Sequence, residues 1–443
     1  MFPDETSRSA ALFDRARAVQ PGANTRHMIT FAPYVIYAER GDGCRVTDVD
    51  GNAYIDWVNN FSTNIHGYGY PPIVEAIKAQ AERMLCCILP TEAEIELSEI
   101  IVERWPGIDQ VRFTNSGTEA VMVAVKAARA ITGRSKIAKT EGGYHGQFDL
   151  VEASFLPTPA NWGPEDRPAA PPLGHGTPQS LLDEAVIIPF NAVDATLARL
   201  EEEKDALAAV IIDPIPARLG FAPASQAYLA TLRRFCTENG IVLIFDEVFC
   251  GRAGYHGAQG RLGVLPDLTA LGKIIGGGLP IGAVGGTRAA MAIFDNLAGP
   301  LRMSHSGTFT GNPMSMVAGI AAMRGLTPAV FAQLEAQGES LRRGLMERMA
   351  AFGLDMRANG LASMTSLQFF SEPADNYREF HNRSGDAYLD RMRRLHRDML
   401  NAGLLMATRG LMVGSTAMTD ADIDETLARA ETALQAFAQR EAA

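Results

Sequence analysis

The sequence predicts an α/β fold: a mostly parallel sheet with helices on both faces, followed by a smaller α+β region. Three observations predict it. Strand-like and helix-like runs alternate throughout residues 111–287, the pattern of βαβ units. Two of those runs, Ala208 to Ile212 and Ile241 to Phe245, are continuously apolar, as strands buried on both faces are. The character then changes: beyond residue 319 helices are expected near 328–352, 385–402 and 420–438, with strands near 364–370 and 410–415.

The bulk numbers bound the function. The chain has 443 residues, 47% hydrophobic and 21% charged, enough for a large core and more than one domain. Its formal net charge is −11 and no Lys/Arg-rich tract occurs, which argues against nucleic acid as a partner. The start, MFPDETSRSA, lacks the apolar core of a secretory signal, and no apolar run reaches membrane-spanning length. Five cysteines without C-x-x-C or zinc spacing fit a reducing cytosol, and no metal site is expected. No H-E-x-x-H, G-x-S-x-G or internal repeat is present.

In chain order, residues 7–19 read as a short helix stopped by Pro21-Gly22. CRVTDVDGNAYIDWV reads as a hairpin about the turn dipeptide Asp50-Gly51. Pro71-Pro72 opens a helix to Arg83, and another runs from Glu92 to Arg104. Val111 to Phe113 is a strand and Glu119 to Ala130 a helix, with Asn115-Ser116-Gly117-Thr118 between them. Ser and Thr there are caps first of all; they also offer hydroxyl and N–H groups to an anion at a helix N-terminus. Lys136 to Lys139 is a strand, followed by GGYHG, where Tyr144 can face a flat heterocycle and glycines allow close approach. Residues 157–178 form a long Pro- and Gly-rich loop. Val186 to Pro189 and Ala208 to Ile212 are strands, separated by the amphipathic helix ATLARLEEEKDA. Gln226 to Asn239 is a helix with Gly240 at its C′ position.

The chemistry concentrates between Ile241 and Gly286. One apolar run leads into Asp246-Glu247, and a second, Leu268 to Leu271, into Gly272-Lys273. An acid and a lysine thus follow strand ends, where a doubly wound sheet places its ligand crevice. Gly272-Lys273 is not a P-loop, since no Gly precedes it by five residues, and no G-x-G-x-x-G follows a strand. A lysine that forms an imine and an acid that keeps a pyridine nitrogen protonated are what pyridoxal phosphate (PLP) requires.

With NSGTEA (115–120), GGYHG (142–146), FDEV (245–248), Lys273 and SGTFTGNP (306–313), the chain resembles the class III PLP-dependent aminotransferases, the fold-type I group that includes glutamate-1-semialdehyde aminomutase. The resemblance runs from about Pro21 to the last helix. It implies a large domain over 66–318 with a mostly parallel seven-stranded sheet. It also implies a small α+β domain from segment 1–65 and residues 319–443. It implies that Lys273 is the Schiff-base lysine, Asp246 the pyridinium partner, and Val248 and Tyr144 the two ring faces, with His145 beside Tyr144. Ser116, Gly117 and Thr118 would hold the phosphate, and Thr308 would reach the phosphate of the other subunit of a homodimer. Where the family usually has Glu-Pro, this chain has Asp213-Pro214, and PARLG with Arg218 replaces a segment that often carries Asn or Gln. The contact to the cofactor's phenolic oxygen is therefore left open.

PGANTR and the TRGLMV…TDADID region look most like the β-amino-acid aminotransferase branch. That likeness implies Arg26 as the clamp for a β-amino acid carboxylate and Arg409 for the carboxylate of an α-keto acid. The expected activity is ping-pong transfer of an amino group from a β-amino acid or related amine to pyruvate or 2-oxoglutarate in the cytosol. An intramolecular aminomutase, an amine:pyruvate transaminase and a catalytically silent PLP-binding protein are the alternatives, the last opposed by the intact Lys273 and Asp246.

Overall fold

The computed structural model describes residues 2–29, 31–297, 299–385 and 387–441. The chain divides into two compact units. Unit 1 comprises Met1–Pro71, Ala329–Pro373 and Phe380–Ala443; unit 2 comprises Pro72–Pro328 with Ala374–Glu379.

Unit 1 begins with strands β1 (Ala38–Asp42), β2 (Arg45–Asp48) and β3 (Ala53–Asp56), paired antiparallel in that order. Gly51 takes φ +85° in the β2–β3 turn, a conformation glycine adopts freely. The Asp48 carboxylate secures the turn by accepting from the Asp50 N–H at 3.0 Å and the Asn52 N–H at 2.8 Å.

Unit 2 is built on a seven-stranded sheet. Its strands are β4 (Gln110–Thr114), β5 (Lys136–Thr140), β6 (Ala185–Ile188), β7 (Leu207–Ile212), β8 (Val242–Asp246), β9 (Leu268–Gly272) and β10 (Gly282–Gly286). The order is β4-β10-β9-β8-β7-β5-β6, and only β10 runs antiparallel to its neighbours. β7 and β8 are buried at every position, which explains their unbroken apolar character. The helix Gly117–Thr132 packs on this sheet through Ala120, Ala124, Ala127 and Ala128, all fully buried. Small side chains on that face let helix and sheet approach closely. The helix begins at Gly117, two residues before the periodicity places it, because Ser116 is its cap. β8 likewise extends through Asp246, so the acid is the last residue of the strand.

The remainder of unit 1 contains β11 (Arg357–Leu361), β12 (Met364–Gln368), β13 (Leu404–Leu405) and β14 (Leu411–Val413). β11, β12 and β14 form an antiparallel sheet, whereas β13 pairs parallel with β3. The last helix, Asp420–Glu441, opens on a reciprocal cap: the Thr419 N–H donates to Asp422 Oδ2 at 2.9 Å, and the Asp422 N–H to Thr419 Oγ1 at 3.3 Å. Among the described residues no single helix is long and apolar enough to cross a membrane.

Candidate active site

β8 and β9 are parallel neighbours with Asp246 in register with Ala270. Asp246 ends one strand and Lys273 follows the end of the other, so an acid and an amine leave adjacent strands at the carboxyl edge of the sheet. Lys273 opens the short helical turn Lys273–Gly276 with φ +50°. That left-handed conformation costs a residue with a Cβ on the order of 1–2 kcal/mol, so the surrounding fold dictates it. The half-buried Lys273 directs Nζ to 4.2 Å from the ring centroid of Phe249. Burial pushes its ammonium down to about 8, and the charges of Asp246 and Asp213 pull the other way.

Asp246 Oδ2 accepts from His145 Nδ1 at 2.9 Å, and Oδ1 accepts from the Val248 N–H at 3.1 Å. His145 is 1% exposed, and burial lowers its pKa. Burial favours the neutral ring, and the neutral tautomer that donates to the carboxylate carries its proton on Nδ1. Its buried Nε2 has no hydrogen-bond partner. Asp213, at the end of the neighbouring strand β7, is half-buried, and its carboxyl is pushed up to about 7, first by burial and then by the charge of Asp246. Cys250 is fully buried and donates its thiol to the Asp246 carbonyl at 3.4 Å.

The Ser116 corner lies against Val248. Ser116 Oγ accepts from the Glu119 N–H at 3.2 Å, and Glu119 Oε2 in turn accepts from the Asn115 N–H at 2.8 Å. A Cβ on Gly117 would stand 2.6 Å from Val248 Cγ1, and one on Gly272 would stand 3.3 Å from the same atom. Two glycines thus make room for one branched side chain. Gly146, at φ +98°, presses on Thr118: a Cβ there would lie 2.7 Å from Thr118 Oγ1. Thr118 Oγ1 also accepts from the Gln147 N–H at 3.4 Å. This contact brings the GGYHG turn to the helix N-terminus. Tyr144 is 48% exposed, its ring 5.1 Å from that of Phe155. The Arg218 guanidinium lies over Phe155 at 4.6 Å and Tyr377 at 5.6 Å.

Unit 2 therefore brings together Lys273, Asp246, His145, Asp213, Val248, Ser116, Gly117, Thr118 and Tyr144. Thr308 is exposed in the same unit, on a segment whose Gly307 lies beside Asn115. Arg26 and Arg409 belong to unit 1. Arg26 is exposed and donates to Asn60 Oδ1 at 2.6 Å; Arg409 is exposed in the turn between β13 and β14. Phe249, which faces the lysine, carries no signal in the sequence beyond its place after FDEV. The residues fit PLP: an amine of depressed pKa, an acid backed by a neutral histidine, a glycine-lined step beside Val248 and an unpartnered buried imidazole nitrogen.

The family model for class III aminotransferases matches residues 30–434. A glutamate-1-semialdehyde 2,1-aminomutase of an Exiguobacterium species is 37% identical, over 96% of each chain. Among solved structures, an omega-transaminase from Sphaerobacter thermophilus is 44% identical with a TM-score of 0.94, covering 98% of both chains. A beta-phenylalanine aminotransferase from Variovorax paradoxus is 33% identical with a TM-score of 0.85, covering 98% of this chain and 94% of that one. The fold, the strand-end lysine and acid, and these likenesses converge: the chain belongs to the class III aminotransferases and is a PLP-dependent aminotransferase of fold type I.

Proposed function

We propose that this enzyme moves an amino group from a β-amino acid or related amine to an α-keto acid, as a cytosolic homodimer. The observation that carries the catalytic part is the pairing of Lys273 and Asp246 at adjacent strand ends, with His145 behind the acid. The β-amino-acid part is supported by the 33% identity to a beta-phenylalanine aminotransferase and by Arg26 in PGANTR.

Bound PLP supplies an electron sink for the charge left when a proton departs from the donor. Lys273 would hold the cofactor and serve as the base that moves the donor's proton; burial keeps much of its amine neutral near pH 8, the form that can act as a base. Asp246 holds the ring nitrogen protonated. His145 donates to Asp246 Oδ2 and fixes the carboxylate without adding a charge of its own. Ser116, Gly117 and Thr118 hold the phosphate, and Val248 and Tyr144 cover the ring. Asp213, half-buried near Asp246 and Lys273, would be a further contact to the cofactor. Arg26 binds the β-amino acid carboxylate and Arg409 that of the keto acid.

Dimerisation is supported by an apolar surface on unit 2. Leu85, Ile88, Leu89, Ile95 and Phe309 are all more than half exposed. Gly311 lies against Glu94, so the stretch that carries Thr308 and Phe309 runs beside the helix that follows the apolar run. A second copy covering this surface would bury the stretch that carries Thr308 in the interface, as a role for Thr308 at the other subunit's phosphate requires.

The 37% identity to aminomutases favours a second reading, rearrangement of an amino-aldehyde without an external acceptor. A donor panel of β-amino acids, simple amines and glutamate semialdehyde, each with pyruvate, 2-oxoglutarate or no acceptor, separates the two. Turnover of β-amino acids only with a keto acid supports the proposal; conversion of the semialdehyde alone overturns it.

A further inference from the structure

The turn that carries Tyr144 and His145 is tied to the long loop after it by residues from far along the chain. Arg378 is buried and grips the Glu141 carboxylate through Nε at 2.9 Å and Nη2 at 2.9 Å. Its remaining donors reach three carbonyls of the Pro-rich loop: Trp162 at 2.9 Å, Gly163 at 2.9 Å and Pro164 at 3.0 Å. Its guanidinium also lies 4.8 Å over the Trp162 ring. The adjacent Tyr377 donates its hydroxyl to the Pro157 carbonyl at 2.9 Å, and its ring fills the space where a Cβ on Gly142 would stand. Ser154 makes a second tie. It is fully buried with φ +55°, its carbonyl accepts from the Gly142 N–H at 2.8 Å, and its own N–H donates to the Pro171 carbonyl at 2.8 Å. Below the turn, the buried Lys139 Nζ donates to the carbonyls of Gly143 at 3.0 Å and Ala153 at 2.6 Å.

Glu141 stands three residues before Tyr144, so the ion pair and the ring-facing side chain share one short turn. We infer that Arg378 is a positioning residue of the cofactor site: through Glu141 and the carbonyls of residues 162–164 it latches the Tyr144–His145 turn to the 157–178 loop. The guanidinium suits this because five donors in a planar fork serve one carboxylate and several carbonyls together. A lysine offers a point charge and cannot span the same set. The long loop is then a fixed brace and not a free lid. This inference rests on the reading of Tyr144 and His145 as cofactor-facing residues.

The test compares Arg378→Met, Arg378→Lys and the double variant Glu141→Met/Arg378→Met with the wild type, in the full-length protein. The readouts are PLP affinity, the induced circular dichroism of bound PLP, hydrogen exchange of peptides covering 142–155 and 157–171, and thermal stability. Arg378→Met should weaken PLP affinity roughly ten- to a hundredfold, as a small misplacement of a site does, reduce the dichroism and speed exchange in both peptides. Arg378→Lys should recover only part. The double variant removes both buried charges, so it should regain thermal stability without regaining slow exchange or the dichroic band. Should the double variant restore both, the pair is structural and the inference falls. Tyr144→Leu and His145→Gln test the underlying reading separately. If neither changes the dichroic band, those residues do not face the cofactor, while the exchange data still decide whether the latch holds the loop.

Discussion

Gly117→Ala probes the fit between the helix N-terminus and Val248. The new Cβ would stand 2.6 Å from Val248 Cγ1 and 2.9 Å from Cγ2, where carbon contacts are comfortable at roughly 3.5–4.0 Å. Val248 is branched at Cβ and stiff about χ1, so it cannot turn aside cheaply. Alanine gains about 1 kcal/mol of helix propensity over glycine, while the overpacking costs about 1–3 kcal/mol. The net loss is therefore about 0–2 kcal/mol. Val248→Ala removes both offending methyls, so in that background Gly117→Ala should no longer be penalised. The two changes should be non-additive by about 1–3 kcal/mol, the double variant being less destabilised than the sum. Urea unfolding of the cofactor-free protein, followed by tryptophan fluorescence, measures all four corners of the cycle. Because Val248 is proposed to cover the cofactor ring, Gly117→Ala should also weaken PLP binding about tenfold. Additivity within about 0.5 kcal/mol would refute the packing argument.

Asp246→Asn should retain the fold and lose turnover by roughly two to three orders of magnitude, because an amide does not hold a protonated ring nitrogen; stopped-flow half-reactions measure it. Capture of PLP by the cofactor-free protein should quicken as pH rises through about 8, since the neutral amine is the nucleophile and burial lowers the Lys273 pKa to about 8. By the same sign, Lys273 makes the cofactor-free protein gain stability from about pH 8 upward, where the unfolded chain binds the extra proton. Arg26→Ala should lower kcat/KM for β-amino acid donors and Arg409→Ala that for α-keto acids. Each loses a charge-assisted contact of roughly 1.5–3 kcal/mol, about ten- to a hundredfold, and equal losses on both half-reactions would make either residue structural. Phe309→Asp should shift sedimentation from dimer to monomer and lower PLP affinity together, if Thr308 serves the neighbouring subunit.

Much of the fold is legible because local chemistry and tertiary structure agree. The helices Pro71–Arg83, Glu92–Arg104 and Gln226–Asn239 coincide with their sequence signals. Pro71 supplies a start for the first and Gly240, at φ +60°, a stop for the last. Other elements leave no such mark. β10 reads GAVGG, and its glycines are demanded by neighbours: a Cβ on Gly282 would stand 2.1 Å from the Ser116 carbonyl oxygen, and one on Gly285 would stand 2.6 Å from Ile108. β1 is exposed at every residue and so has no apolar alternation to read. The short polar helix Tyr377–Ser384 has only Tyr377 and Phe380 as apolar positions, too few to mark a helix in the sequence. In the site, Asp246 and Lys273 were readable because each ends an apolar run. The Glu141–Arg378 pair was not, since its members are 237 residues apart and only the folded chain sets them together.

Lys273 is proposed to carry the cofactor. Reduction of the PLP-loaded enzyme with borohydride, followed by peptide mapping, tests it most directly. A single pyridoxyl-lysine at Lys273 is expected, with loss of the cofactor absorption of the lysine-bound form in Lys273→Ala. A stable adduct on any other lysine, Lys139 included, would contradict it.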